Sequence, residues 1–119
     1  MKRNWSAGDL LSTSSAYWRG CALQAGVRLG IFTALDDERL TVDGVIEKIE
    51  ADRRGMEFLL NALAAMGLLV KDGSFYADTP EAAELLSRKS EKYMGHIILH
   101  HHHILDGWAQ LDKLSLIHI

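Results

Sequence analysis

A histidine tract holds the residues of this chain best suited to chemistry. His96, His100 and His103 are spaced at i, i+4 and i+7, so a helix would present three imidazoles on one face. Imidazole nitrogens bind zinc and iron, which makes a metal-sensing domain one reading of the tract. No carboxylate or cysteine stands in register with the three histidines, and a ligand set without supporting groups is weak evidence for a metal. We therefore predict no metal site, and we place His101 in the apolar seam of a helix.

The sequence lacks the motifs that carry catalysis or bind a cofactor in common enzyme classes. It contains no G-x-G-x-x-G, P-loop, G-x-S-x-G, H-E-x-x-H or C-x-x-C pattern. Its one cysteine, Cys21, lies on an apolar helical pattern with no histidine near in sequence, which favours packing over nucleophilic chemistry. We therefore predict no catalytic and no cofactor-binding residue within this chain.

The composition is that of one mildly acidic globular domain. The chain has 119 residues, of which 48% are hydrophobic and 24% charged, and its net charge is -3. A single cysteine fits a reducing compartment, no apolar run is long enough to span a membrane, and no secretory signal follows Lys2 and Arg3. We expect a cytoplasmic protein without a membrane partner.

The elements that must position these residues predict a mainly α fold. The predicted fold is a winged helix-turn-helix core with a short two-stranded β-hairpin, flanked by long N- and C-terminal dimerisation helices. Helices are predicted over 7–25 and 27–35, from Thr41, after Asp52 to residue 66, from Thr79 and Pro80, and over 90–114. Asp72 and Gly73 predict the hairpin turn. The predicted divisions are 1–35 for the N-terminal helices, 36–88 for the core and 89–114 for the C-terminal helix.

The two end segments carry more apolar surface than so small a core can bury, which predicts a homodimer. Tyr17, Trp18 and Trp108 have the rings to stack on an aromatic ligand. Aromatic side chains dominate buried and interface area in general, however, which favours a role as core or dimer anchors. The predicted interface residues are Tyr17, Trp18, Leu29, Ile31 and Phe32.

The alternative reading is a small winged-helix DNA-binding transcription regulator. Arg53 and Arg54 begin the would-be recognition helix, and Lys71 lies in the wing. Between residues 36 and 61, however, the chain carries eight acidic residues and only four basic ones. Because this surface repels phosphates, we predict no nucleic-acid partner.

Four blocks of the sequence follow one another in the order of a known family. Residues 23–35, LQAGVRLGIFTAL, are similar to A-x-x-L-G-I-F-D-x-L. Residues 40–42 and 52–69 are similar to its L-T…D-x-R-G…L-L-x-A-L-x-x-L-G-L-L block, and residues 72–80 to D-G-x-Y-x-L-T-P. Tyr93 to His96, with Trp108 and Leu111, match the helix that follows. The ordered set resembles the N-terminal dimerisation domain of S-adenosylmethionine-dependent O-methyltransferases.

The resemblance implies a homodimer and a parent enzyme that transfers a methyl group from S-adenosylmethionine to a small-molecule acceptor. In that family the helix after the wing lies along the substrate cleft, while the methyl-donor site and the general base belong to a further domain. We therefore expect this chain alone to be inactive. Residues 115–119 depart from the family pattern and read as a translated sequencing adapter, so we expect a fragment with a non-native tail. The implied cleft residues are Met94, His96, His100, His103 and Trp108.

Overall fold

The computed structural model describes residues 4–117, so the last two residues of the predicted tail lie outside the described part. Eight helices and one hairpin follow each other along these residues. They are α1 (Ala7–Ser14), α2 (Tyr17–Leu29), α3 (Ile31–Ala34), α4 (Val42–Lys48), α5 (Arg53–Ala65), β1 (Leu69–Asp72), β2 (Phe75–Asp78), α6 (Pro80–Leu86), α7 (Gly95–Ala109) and α8 (Leu111–Ile117).

Capping side chains fix where the core helices begin. Thr41, Asp52 and Thr79 each accept a hydrogen bond from the backbone N–H three residues on, at 3.1, 2.8 and 3.2 Å. Each cap satisfies a donor that the first helical turn leaves without a partner, which is worth about 1 kcal/mol. Pro80 occupies the first position of α6, where its missing N–H costs nothing. The predicted helix starts at these three residues are confirmed.

The wing is an antiparallel hairpin that is also tied to the chain before α4. Asp72 pairs with Phe75, so the turn is centred on Gly73 and Ser74, one residue later than predicted. Gly73 has a φ of 61°, which suits the first central position of a type II′ turn. Leu40 and Tyr76 exchange two backbone hydrogen bonds of 3.0 and 2.8 Å. These bonds hold the start of α4 against the wing.

The N-terminal helices differ from the prediction in where they break. A turn at Ser15 and Ala16 divides the helix predicted over 7–25, and its second part, α2, runs on to Leu29. Gly30 then adopts a left-handed conformation with a φ of 77°. Because that conformation ends a helix, α2 and the short α3 are separate elements that meet at an angle.

The C-terminal helix starts later than predicted. After α6 the chain turns, and the Met94 N–H donates to the Leu85 carbonyl at 2.8 Å before α7 begins at Gly95. Gln110 then separates α7 from α8. The helix predicted over 90–114 is therefore two shorter helices preceded by a turn.

The helices α2 through α6, the hairpin and the first turns of α7 share one hydrophobic core. The Tyr76 hydroxyl lies in this core and donates to Asn61 Oδ1 at 2.5 Å, so its polar end is satisfied. The buried hydrophobic residues are Val27, Ile31, Phe32, Leu35, Val42, Val45, Met56, Leu60, Leu63, Leu69, Tyr76, Ala82, Leu86 and Ile98. None of the described residues before Gly26 or after Ile98 is buried.

The molecule is elongated because its end helices extend beyond this core. Its principal extents are 52 × 30 × 30 Å and its radius of gyration is 17.0 Å. A compact domain of this length has a radius of gyration of about 13.5 Å. Within residues 4–117 no helix has the length and apolar character needed to cross a bilayer.

Asp78, at the end of β2, carries a carboxyl group whose two oxygens are buried without a hydrogen-bond partner among the described residues. Burial, together with the negative charge of nearby Asp36 as the smaller cause, raises the pKa of this carboxyl to about 7. The folded state therefore holds a proton that the unfolded chain releases near pH 4. The contribution of this proton to the stability of the folded state is complete below about pH 4 and is lost as the pH rises toward 7.

Asp78→Asn is therefore expected to stabilise the chain at pH 8 more than at pH 5. The amide cannot ionise, so the folded state no longer buries a charge at high pH. With allowance for solvent screening, we expect a gain of about 1–2 kcal/mol at pH 8, measured by urea unfolding. Asp106→Asn, on exposed α7, is the matched control and should leave the unfolding free energy unchanged at both pH 8 and pH 5. An equal effect of Asp78→Asn at both pH values would contradict the prediction.

Candidate functional site

Most of the large apolar side chains that the described residues leave exposed lie on the helices at the two ends of the chain. We call this set the end-helix surface. Its members are Leu10, Leu11, Tyr17, Trp18 and Leu29 on α1 and α2, and Ile97, Ile104, Trp108, Leu111, Leu114 and Leu116 on α7 and α8.

On the N-terminal side the end-helix surface is the outer side of α1 and α2. No residue of α1 is buried, although Ser6 and Asp9 form a capping box that fixes its first turn. In α2 the inner side packs through Gly26 and Val27, which are buried in the core. Tyr17 and Trp18, at the start of α2, contact each other edge to face at 6.2 Å. An amphipathic helix with no buried residue, such as α1, needs a surface that its own chain does not provide.

On the C-terminal side α7 packs against α2. Its inward side is formed by Ile98, His102 and Leu105, and the His102 Nε2 lies 3.1 Å from Arg28 Nη1 of α2. His101, which the sequence placed in the seam, is exposed instead, so that prediction is wrong by one position. Farther along, Ile104, Trp108 and Leu114 line an open apolar groove of about 320 Å³.

The predicted cleft residues share the exposed sides of α7 and its entry. Met94, His96, His100, His103 and Trp108 are all exposed. The His96 ring contacts the Tyr93 ring edge to face, with the ring centroids 5.0 Å apart. Among residues 4–117 no three histidine, cysteine, aspartate or glutamate side chains are arranged to hold a metal ion.

The predicted interface residues fall into two groups. Tyr17, Trp18 and Leu29 are exposed and belong to the end-helix surface. Ile31 and Phe32 are 0% exposed, because Gly30 turns α3 into the core of the same chain. They cannot touch a partner, so the prediction that they lie in the interface is wrong. They support the end-helix surface from beneath.

The surface that a winged-helix regulator would present to DNA has its cations engaged within the chain. Arg53 donates to Asp43 at 2.8 Å and to Glu57 at 3.2 Å, and its bond to Asp43 is the main cause that raises the pKa of the guanidinium. Arg54 lies over the Phe58 ring at 5.5 Å. In the wing, Lys71 donates to Asn61 at 3.0 Å. Besides lying among acidic residues, these cations would have to leave their partners to bind phosphates.

The chain exposes more surface than a compact monomer of its mass would. The chain exposes 8494 Å². A compact monomer of 13.3 kDa exposes about 6,450 Å², so the surplus is about 2,000 Å². Each partner in a large, permanent interface buries about 1,000–2,500 Å². The surplus is therefore as large as the area that one partner buries in a permanent dimer.

A family model for the O-methyltransferase dimerisation domain matches residues 11–88. Two curated relatives come from Streptomyces. The chain is 33% identical to the N,N-dimethyltransferase OxyT of Streptomyces rimosus, over 80% of this chain and 28% of the relative. It is 32% identical to the tetracenomycin polyketide synthesis 8-O-methyltransferase TcmO of Streptomyces glaucescens, over 89% of this chain and 32% of the relative. The chain thus spans about a third of the length of the relatives it matches.

Solved structures of methyltransferases share the fold. An O-methyltransferase family protein from Burkholderia thailandensis superposes with a TM-score of 0.84 at 27% identity, over 95% of this chain and 34% of that one. Human N-acetylserotonin methyltransferase, solved in complex with SAM, gives a TM-score of 0.81 at 21% identity, over 95% of this chain and 35% of that one. The end helices and the winged core are therefore the architecture of a known module. The chain belongs to the O-methyltransferase dimerisation-domain family.

Proposed function

We propose that two copies of this chain associate through the end-helix surface, and that the dimer helps to form the acceptor cleft of an S-adenosylmethionine-dependent methyltransferase. The observation that carries the proposal is the set of large apolar side chains left exposed on α1, α2, α7 and α8. Apolar surface of this extent is costly in water, and a second copy offers the same surface in return. Tyr17, Trp18 and Leu29 are the proposed contacts on α2.

The proposed chemistry is methyl transfer to a small molecule in the cytoplasm. By name, one relative is an N,N-dimethyltransferase and the other an 8-O-methyltransferase, and these names support an acceptor oxygen or nitrogen. Bound S-adenosylmethionine would supply an electrophilic methyl group, and the acceptor's proton would pass to a base in the part of the enzyme that this chain does not span. We assign the methyl donor to the part of such an enzyme that this chain does not span. This chain's contribution is to position the acceptor.

The proposed wall of the acceptor cleft is the exposed side of α7 and its entry. Met94, His96, His100, His103 and Trp108 lie there and are exposed in the single chain. Exposed imidazoles and an indole suit a cleft that holds a polar aromatic molecule.

The division of the chain that we propose has the N-terminal helices up to residue 35, a winged core over 36–88 and the C-terminal helix from residue 89.

Sedimentation equilibrium of the chain tests the association. We expect twice the monomer mass of 13.3 kDa over about 1–100 µM, because a permanent interface holds at these concentrations. A monomer throughout that range would overturn the proposed dimer.

Calorimetry with S-adenosylmethionine tests the assignment of the methyl donor to a part of the enzyme that this chain does not span. We expect no binding, and a micromolar Kd would contradict the assignment of the donor site elsewhere.

A further inference from the structure

An open groove of about 660 Å³ lies beside Trp18, one of the proposed dimer contacts. Its walls come from α1, from α2 and from the residue that ends α5, and Trp18, Leu23 and Met66 make them largely apolar. Arg19 also lines the groove. The helix α1, which forms part of the wall, buries none of its own residues. The groove is therefore continuous with the proposed interface and has no covering segment within the described part of the chain.

The helix α2, which carries most of this groove, is positively charged. It contains Arg19 and Arg28 and no acidic residue. Arg28 has a partner within the chain, because its Nη1 lies 3.1 Å from His102 Nε2. Arg19 is exposed and forms no ion pair with the residues that the structure describes. A dimer that placed one α2 surface against the other would bring these like charges together, which costs affinity.

The C-terminal end of the described chain offers an apolar surface with the opposite charge. The helix α7 contains neither lysine nor arginine, and α8 has Asp112 in its first turn. Leu111 and Leu114, on either side of Asp112 in sequence, are exposed and line the groove between α7 and α8. The Asp112 carboxylate accepts the backbone N–H of Lys113 at 2.9 Å and forms no ion pair among the described residues. Residues 111–116 are all exposed, so α8 also lacks a covering surface.

We propose that the dimer pairs unlike surfaces: α8 of each copy docks in the groove between α1 and α2 of the other copy, with Asp112 of one beside Arg19 of the other. Leu111 and Leu114 then lie against the apolar walls at Trp18. A two-fold axis repeats every contact, so the ion pair forms twice in one dimer. This inference rests on the proposed dimer and specifies which surfaces meet in it.

Native mass spectrometry of mixed variants tests the pairing. Arg19→Glu alone would bring two carboxylates together at both contacts, and Asp112→Lys alone would bring two cations together. Each of these homodimers should be about tenfold weaker than a dimer with opposite charges at both contacts. An equimolar mixture of the two variants can form such a dimer as the heterodimer. After subunit exchange, we expect the heterodimer to make up about nine-tenths of all dimers, against about half for random pairing.

A second mixture separates the pairing of unlike surfaces from the pairing of like ones. Arg19→Glu mixed with the unmodified chain should give heterodimer at the random share, because that heterodimer has one repulsive and one attractive contact. If two α2 surfaces met instead, the new glutamate would lie near Arg19 of the unmodified copy. The heterodimer would then be in excess, which would overturn the proposal.

Two charge reversals outside the end-helix surface are the matched control. Arg54→Glu on α5 and Glu47→Lys on α4 change the same charges at exposed positions. Their equimolar mixture should show the random share of heterodimer. An excess equal to that of Arg19→Glu with Asp112→Lys would mean that net charge alone selects the partner, and would overturn the proposed contact.

Both reversals in one chain provide the rescue. The Arg19→Glu/Asp112→Lys double variant restores opposite charges at each contact, so its dimer Kd should return to within about threefold of the unmodified value. A dimer as weak as either single variant would overturn the pairing. The same samples separate this inference from the proposed dimer: dimers with random composition in every mixture would overturn only the pairing of α8 with the groove. An unmodified chain that stays monomeric would overturn both.

Discussion

Trp18→Glu is expected to convert the chain from a dimer to a monomer at micromolar concentrations. Trp18 is 65% exposed in the single chain, so the substitution leaves the core untouched. In the proposed dimer it would remove an aromatic anchor and bury an unpaired carboxylate in apolar surroundings. Losing an anchor of this kind costs about 2–4 kcal/mol and a buried charge adds to it, so the dimer Kd should rise at least about 100-fold.

Phe58→Glu is the matched control for this result. Phe58 is an aromatic residue that is 63% exposed, almost the same fraction as Trp18, but it lies on α5 outside the end-helix surface. Sedimentation equilibrium should show a dimer for Phe58→Glu and a monomer for Trp18→Glu, with unchanged helical circular dichroism in both. If both variants became monomeric, exposed apolar area in general would drive association. If neither did, the interface would lie elsewhere.

The core helices and the wing could be predicted because local chemistry decides them. Thr41, Asp52 and Thr79 are short polar residues directly before apolar helical patterns, and each caps its helix as expected. Gly67 ends α5 with a φ of 84°, a conformation that residues other than glycine rarely adopt. The hairpin also lies where the sequence predicts it, and only its turn is one residue later. These features depend on neighbours in sequence rather than on a partner surface.

The phase of the end helices could not be predicted in the same way. Residues 97–105 are apolar or histidine around most of the helix, so several stripes fit the pattern equally well. Packing against α2 decides between them: it turns His102 inward to Arg28 and leaves His101 exposed. The bond to Arg28 joins residues 74 positions apart, and periodicity carries no signal for such a pair.

Phe32→Ala is expected to cost about 3–5 kcal/mol of unfolding free energy, the usual loss for deleting a fully buried aromatic ring. Phe32 is 0% exposed. Its ring also packs tightly against α2, since a Cβ placed on Gly26 would lie 2.9 Å from Phe32 Cε2. Urea unfolding measures the loss, and Phe58→Ala, at an exposed phenylalanine, should change the free energy by less than about 1 kcal/mol. Phe32→Leu provides a milder variant if Phe32→Ala fails to fold.

The same substitution separates a core residue from an interface residue. An interface role would make the cost depend on protein concentration, because only the dimer would lose the contact. A core role makes the cost a property of each chain. Phe32→Ala or Phe32→Leu should therefore lose the same free energy in the Trp18→Glu background, where no dimer forms, as in the unmodified chain. A cost that vanished in the monomeric background would return Phe32 to the interface and contradict the position of α3 in the core.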